Sequence, residues 1–179
     1  RFIAEKVREM IKLVDRFQFQ VMVKTDDDTF LCLHTLGKFL ARLPDKKRTR
    51  LYLGNAQKRT HIIKDPNHSQ HDEIYDHLVE GKLDFYPKYM QGSLYALGYE
   101  LVENLNRVRD NLKVFRNEDV MVNVWTSAFQ REFVDVGKKF IAFRNCSCFG
   151  YGREPPKFSY HPCKDTKQLE GCFHNYGQC

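Results

Sequence analysis

Phe17-Gln18-Phe19-Gln20-Val21-Met22-Val23-Lys24-Thr25-Asp26-Asp27-Asp28-Thr29-Phe30 decides how this chain is read. Phe17, Phe19, Val21 and Val23 recur at period two, which predicts a β-strand over residues 17–23. Three consecutive carboxylates follow it, where open α/β sheets hold ligands, beyond a strand's carboxyl end. Adjacent carboxylates repel one another, so a cation stabilises them. An all-oxygen donor set favours a hard divalent ion such as Mn²⁺ or Mg²⁺. The competing reading is structural: an acidic triplet also suits a solvated turn, and Asp28 or Thr29 could cap a helix over Phe30 to Leu40.

Downstream lies Phe85-Tyr86-Pro87-Lys88-Tyr89-Met90-Gln91-Gly92-Ser93-Leu94-Tyr95, followed by an amphipathic stretch from Ala96 to Leu105. Pro87 restricts Tyr86 to an extended conformation, and Gly92 permits a close backbone approach before the expected helix. The rings could wall a sugar or base, or could simply be core. Further on, Asn117-Glu118-Asp119-Val120 opens another apolar stretch. Its carboxylates suit a helix N-terminus; they could also supply a general base facing the cation.

In this order, the three segments resemble the β-1,3-glycosyltransferase family of galactosyltransferases, N-acetylglucosaminyltransferases and fringe-like enzymes. The resemblance rests on Lys24 to Phe30 as an acidic DxD-type motif, on Tyr86-Pro87-x-Tyr89-x-x-Gly92-x-x-Tyr95, and on Glu118-Asp119-Val120. It covers roughly residues 1–165. It implies an α/β sandwich with a mixed sheet, the GT-A nucleotide-diphospho-sugar transferase fold with its N-terminal part missing. It further implies metal ligation by Asp26, Asp28 and His161, donor binding by Lys24, Asp26, Asp27, Tyr86, Tyr89 and Gly92, and catalysis by Asp119 with Glu118. The implied reaction is metal-dependent inverting transfer of galactose or N-acetylglucosamine from a UDP-sugar to a glycan or glycoprotein acceptor, in β-1,3 linkage. The implied location is the lumenal side of the Golgi membrane, with a type II anchor upstream. Two departures concern sugar identity: Met121-Val122-Asn123 stands where the family has a glycine, and a second glycine is missing after Gly92. A catalytically inactive glycan-binding or chaperone-like relative is the alternative.

A length of 179 residues with 42% hydrophobic composition suits one domain or part of one. Arg1 opens directly into an amphipathic pattern with Ile3, Val7, Met10, Ile11 and Val14 on one face, and the resemblance implies that the chain is the catalytic half of a larger transferase. The division expected is 1–145 for the catalytic portion and 146–179 for a cysteine-rich tail of the same domain. The net charge of +6 suggests affinity for anions. Its densest run, Arg42 to Lys64, lacks the interleaved aromatics of a nucleic-acid groove, so no nucleic-acid partner is expected.

Five of the six cysteines lie at or beyond Cys146. Disulfides of a secretory compartment fit this clustering, with fifteen possible pairings. Cys32, within an expected apolar helix, reads as a buried free thiol. A zinc-stabilised module using His161 and His174 is the competing account of the tail, though paired C-x₂-C knuckles are missing. Asn67 and Asn145 open Asn-x-Ser sequons. His68, His71 and His77 lack the acidic company of a metal cluster.

Overall fold

The computed structural model describes residues 2–14, 16–137, 141–143, 146, 157–177 and 179. Helix α1 (Phe2–Val14) leads into β1 (Val21–Thr25), the short β2 (Phe30–Leu31), α2 (Leu33–Ala41), α3 (Asp45–Thr49) and β3 (Leu51–Gln57). Then come α4 (Glu73–Leu78), β4 (Tyr89–Gly98), α5 (Tyr99–Val108), α6 (Glu118–Ser127), β5 (Glu132–Asp135), β6 (Ile141–Phe143), β7 (Ser159–His161) and α7 (Thr166–Tyr176). Two mixed sheets result. The larger runs β1-β4-β3-β5, with β5 parallel to β3 and the other pairs antiparallel; the smaller runs β2-β7-β6.

Side-chain alternation gives the larger sheet two apolar faces, and helices cover both. Met22, Tyr52, Tyr95 and Leu97 pack with Val7 and Ile11 of α1, Leu101 and Leu105 of α5, and Met121 and Trp125 of α6. On the opposite face, Val21, Val23, Leu51, Leu53 and Ala96 meet Phe39 and Leu40 of α2. The mixed α/β architecture expected from the sequence is therefore present.

Several local expectations change. Phe17 is 63% exposed and β1 begins only at Val21, so the strand occupies the second half of the period-two run. Ile3 is also exposed, while Ala4 takes a buried position on α1. The helix expected from Phe30 divides into β2 and α2, with Cys32 rather than Asp28 or Thr29 at the N-cap.

The largest correction concerns the aromatic segment. Residues 89–98 form the ten-residue strand β4 between β1 and β3, and α5 starts at Tyr99. The second half of β4, Leu94-Tyr95-Ala96-Leu97, is a continuous buried apolar run with no alternation to betray it, and Gln91-Gly92-Ser93 before it reads as a turn. Its ladder with β3 is interrupted: Gly54 pairs with Tyr95 but Ala56 with Met90, so Asn55 alone faces residues 91–94. The extra β4 residues bulge out of the ladder, and Gly92 lies in that bulge.

The cysteines also differ from expectation. Cys32 is not a free thiol but is bonded to Cys179, 147 residues away, and Cys146 is bonded to Cys163. Cys172 is disulfide-bonded too, and no described cysteine is free. Oxidised sulfurs do not supply thiolates for zinc, so the zinc-module account is set aside for these cysteines. The basic segment after Arg42 is a solvated face with acidic partners: Arg48 pairs with Asp45, Arg50 with Glu100, Lys58 with Asp135 and Lys64 with Asp84. Among the described residues no helix is long and apolar enough to cross a membrane. Asn67 is exposed, whereas Asn145 lies outside the described residues.

Candidate active site

The acidic loop leaves β1 and is held against β4. Asp26 N–H donates to the Ser93 carbonyl at 3.4 Å, and the Thr25 and Thr29 hydroxyls donate to the same oxygen at 3.1 and 3.4 Å. Asp27 is exposed. Asp28 faces β7: its Oδ1 is 3.0 Å from His161 Nδ1, which also lies 3.1 Å from Thr29 Oγ1. The backbone closes the same junction, with Cys163 N–H donating to the Asp28 carbonyl at 2.7 Å.

Asp26, Asp28 and His161 thus offer three ligand atoms within 4.8 Å of one another. They are partly exposed, so an ion could enter without unfolding the loop. Two carboxylate oxygens with one imidazole nitrogen form a donor set that could hold a divalent cation.

Lys24 stands behind this group. Its ammonium donates to Asp26 Oδ1 at 2.6 Å, to the Gly92 carbonyl at 2.7 Å and to Glu118 Oε2 at 3.5 Å. Asp26 remains 35% exposed, so the ion pair does not bury its carboxylate. Glu118 is buried and its Oε1 accepts the Tyr95 hydroxyl at 2.6 Å. Burial raises the Glu118 pKa, opposed by Lys24 and Tyr95.

Asp119, the next residue, makes no salt bridge among the described residues; its Oδ1 accepts the Val120 N–H at 2.9 Å. Its pKa is pushed up to about 6, by burial first and by the negative charge of Glu118 second. A carboxylate tuned toward neutral pH is poised to accept a proton.

Gly92 joins the two halves. A Cβ built there would lie 3.4 Å from Glu118 Oε2, 3.8 Å from the Asp119 Cβ and 3.8 Å from Lys24 Nζ. The close approach expected of Gly92 is real, but a strand bulge delivers it rather than a turn before a helix. Of the two readings open to Tyr86 and Tyr89, the structure gives core rather than an open wall: both are buried, packing edge-on at 6.3 Å. They support the site from behind, the Tyr86 hydroxyl accepting from Asn117 Nδ2 at 3.1 Å.

One residue of this assembly escaped the sequence reading. Buried Asp72 caps α4 through Tyr75 N–H at 3.2 Å, and its other oxygen accepts from the Arg116 and Asn117 N–H groups at 2.5 and 3.1 Å. It therefore fixes the turn that presents Glu118 and Asp119. A capping pattern, Asp72 before Glu73-Ile74-Tyr75, was the available local signal.

Residues 6–135 match the sequence profile described as Galactosyltransferase. The chain belongs to that family. The matched segment includes the acidic loop, Gly92, Glu118 and Asp119, while His161 lies beyond it. Among similar proteins, mouse "Beta-1,3-galactosyltransferase 6" is 29% identical over 121 residues, covering 67% of this chain and 35% of that protein. Arabidopsis thaliana "Probable beta-1,3-galactosyltransferase 12" is 30% identical over 115 residues, 63% of this chain and 29% of that protein. "Probable beta-1,3-galactosyltransferase 3" of the same plant is 28% identical over 112 residues, 63% and 26% respectively. This galactosyltransferase-family chain thus spans about a quarter to a third of the length of these curated relatives.

Proposed function

We propose that the full-length protein is an inverting, metal-dependent hexosyltransferase with a GT-A fold. It moves galactose or N-acetylglucosamine from a UDP-sugar to a glycan or glycoprotein hydroxyl, in β-1,3 linkage. One observation supports the reading: Lys24 bonds both Asp26 of the Asp26–Asp28–His161 group and the Gly92 carbonyl, and Gly92 lies against Glu118 and Asp119. Family membership supports glycosyl transfer, and the names of the relatives support a β-1,3-galactosyl product.

In this reading Asp26, Asp28 and His161 would hold Mn²⁺ or Mg²⁺; the imidazole nitrogen departs from the all-oxygen shell that Mg²⁺ prefers, which favours Mn²⁺. When bound, the ion supplies Lewis-acid stabilisation to the departing diphosphate. Asp119 takes the proton of the acceptor hydroxyl as its oxygen attacks the anomeric carbon. The bond from that carbon to the diphosphate oxygen breaks on the opposite face, and configuration inverts. Glu118, with both oxygens engaged by Tyr95 and Lys24, supports Asp119 and does not itself take the proton. Residues 146–179 belong with 1–145 in one catalytic unit, a division supported by the Cys32–Cys179 bond and the His161–Asp28 contact. Disulfides suit a lumenal enzyme, and a Golgi location with an upstream anchor completes the reading.

The test is turnover by the full-length protein with a panel of UDP-sugars and Mn²⁺, beside its Asp119→Asn variant. The variant should still bind UDP but lose roughly 10²–10⁴ in transfer rate, the usual contribution of a positioned general base. Wild-type rates in Asp119→Asn would reject the base assignment; no transfer from any nucleotide sugar by the wild type would reject the activity.

A further inference from the structure

A lysine in an acidic motif suggests a hand for the donor's diphosphate, but Lys24 is arranged for another task. Its side chain is only 11% exposed. An ammonium group has three N–H donors, and each has a protein acceptor here: Asp26 Oδ1, the Gly92 carbonyl and Glu118 Oε2. The strand register explains the placement. Lys24 pairs with Tyr95 across β1 and β4, which sets both side chains on the sheet face that α6 covers. The ammonium lies 5.6 Å from the Tyr95 ring centroid, while the Tyr95 hydroxyl donates to the far oxygen of Glu118. A continuous polar chain, Tyr95–Glu118–Lys24–Asp26, therefore crosses the site from the base-bearing helix to the metal-side loop.

We infer that Lys24 is a positioning residue rather than a donor ligand: it divides its ammonium between Glu118 and Asp26, so that α6 sets how firmly the metal-side carboxylate is held. The inference rests on the functional reading above only in taking Asp26 as a metal ligand. Glu118 and Asp26 compete for one cation. Weakening the claim of Glu118 moves Lys24 toward Asp26 and hinders an incoming metal. Strengthening that claim releases Asp26.

Electron paramagnetic resonance of Mn²⁺ bound by the full-length protein tests this without turnover. Glu118→Gln should weaken Mn²⁺ binding by about threefold or more, and Lys24→Met should remove that response, a coupling of the size expected for residues in one network. Tyr95→Phe, which frees a Glu118 oxygen, should act in the opposite direction and tighten Mn²⁺ binding. UDP affinity in Lys24→Met should stay within about threefold of wild type, because a group that does not touch the ligand contributes little uniform binding.

An unchanged Mn²⁺ affinity in Glu118→Gln, or an undiminished effect of that change in the Lys24→Met background, overturns the inference. So does a UDP affinity about tenfold or more weaker in Lys24→Met, the loss expected of a direct diphosphate contact. If Lys24→Met fails to fold, the opposite signs of Glu118→Gln and Tyr95→Phe decide, and equal signs overturn it. Absent transfer by the wild type would reject the enzymatic reading while leaving this metal cycle decisive; a wild type that takes up no Mn²⁺ overturns both.

Discussion

The two sides of the site are assembled in different ways. Asp119 is presented by the first turn of α6, and its restraints come from buried groups of the main core: Asp72, Tyr86 and the Glu118–Tyr95 pair. The metal side joins Asp28 to His161 through two-residue β2 and three-residue β7, with a disulfide from Cys32 to the last residue. One side rests on a large apolar core, the other on a small sheet whose buried cluster is chiefly Cys32, Cys146, Tyr160, Cys163 and Cys172. Small cores need covalent support. The base side should therefore tolerate reduction and the metal side should not.

The strongest way to break this contrast is Cys32→Ser with Cys179→Ser. A bond closing 147 residues contributes up to about 5 kcal/mol in the chain-entropy account, and 2–5 kcal/mol is typical for native disulfides. Thermal unfolding should show a loss in that range, with Mn²⁺ affinity falling well before UV signals of Trp125 in the main core change. Simultaneous loss of both would make the two sides one cooperative unit. Next, Asp72→Asn places an amide donor against backbone donors, and an unsatisfied buried group costs about 1–3 kcal/mol. Denaturant titration should show that loss, and turnover should fall while Mn²⁺ affinity holds. An equal fall in metal binding would erase the distinction.

His161→Ala sharpens the comparison from the metal side. Changes even to groups behind a ligand weaken metal binding about 10–100-fold, so calorimetry should read at least about tenfold for His161 itself. The mildest probe is pH. In the proposed reaction Asp119 works ionised, and its pKa stands near 6, so kcat/KM should rise with pH through about 6 and level off above it. Below that point activity should drop about tenfold per unit. A flat profile from pH 5 to 7 would separate Asp119 from the rate-limiting proton transfer.

How much was legible follows from which forces act locally. The carboxylate triplet after β1 and the Glu118-Asp119 pair at a helix start are local signals, and each occupies the place its sequence implied. Strand β4 was not legible because its Leu94–Leu97 half is buried and apolar without a period-two mark, while Gln91-Gly92-Ser93 before it reads as a turn. Cys32 misled for a related reason: an apolar neighbourhood is equally that of a buried thiol and of a buried disulfide.

The sequence by itself determined the charge-bearing groups, the mixed α/β order and the family, since these depend on residue type, spacing and local backbone preference. Only the tertiary structure decided that His161 meets Asp28, that Lys24 is spent on protein acceptors, and that Tyr86 and Tyr89 are core. These contacts join residues from eleven to more than a hundred positions apart. Strand register and helix packing choose such partners, and no local stretch of chain encodes that choice.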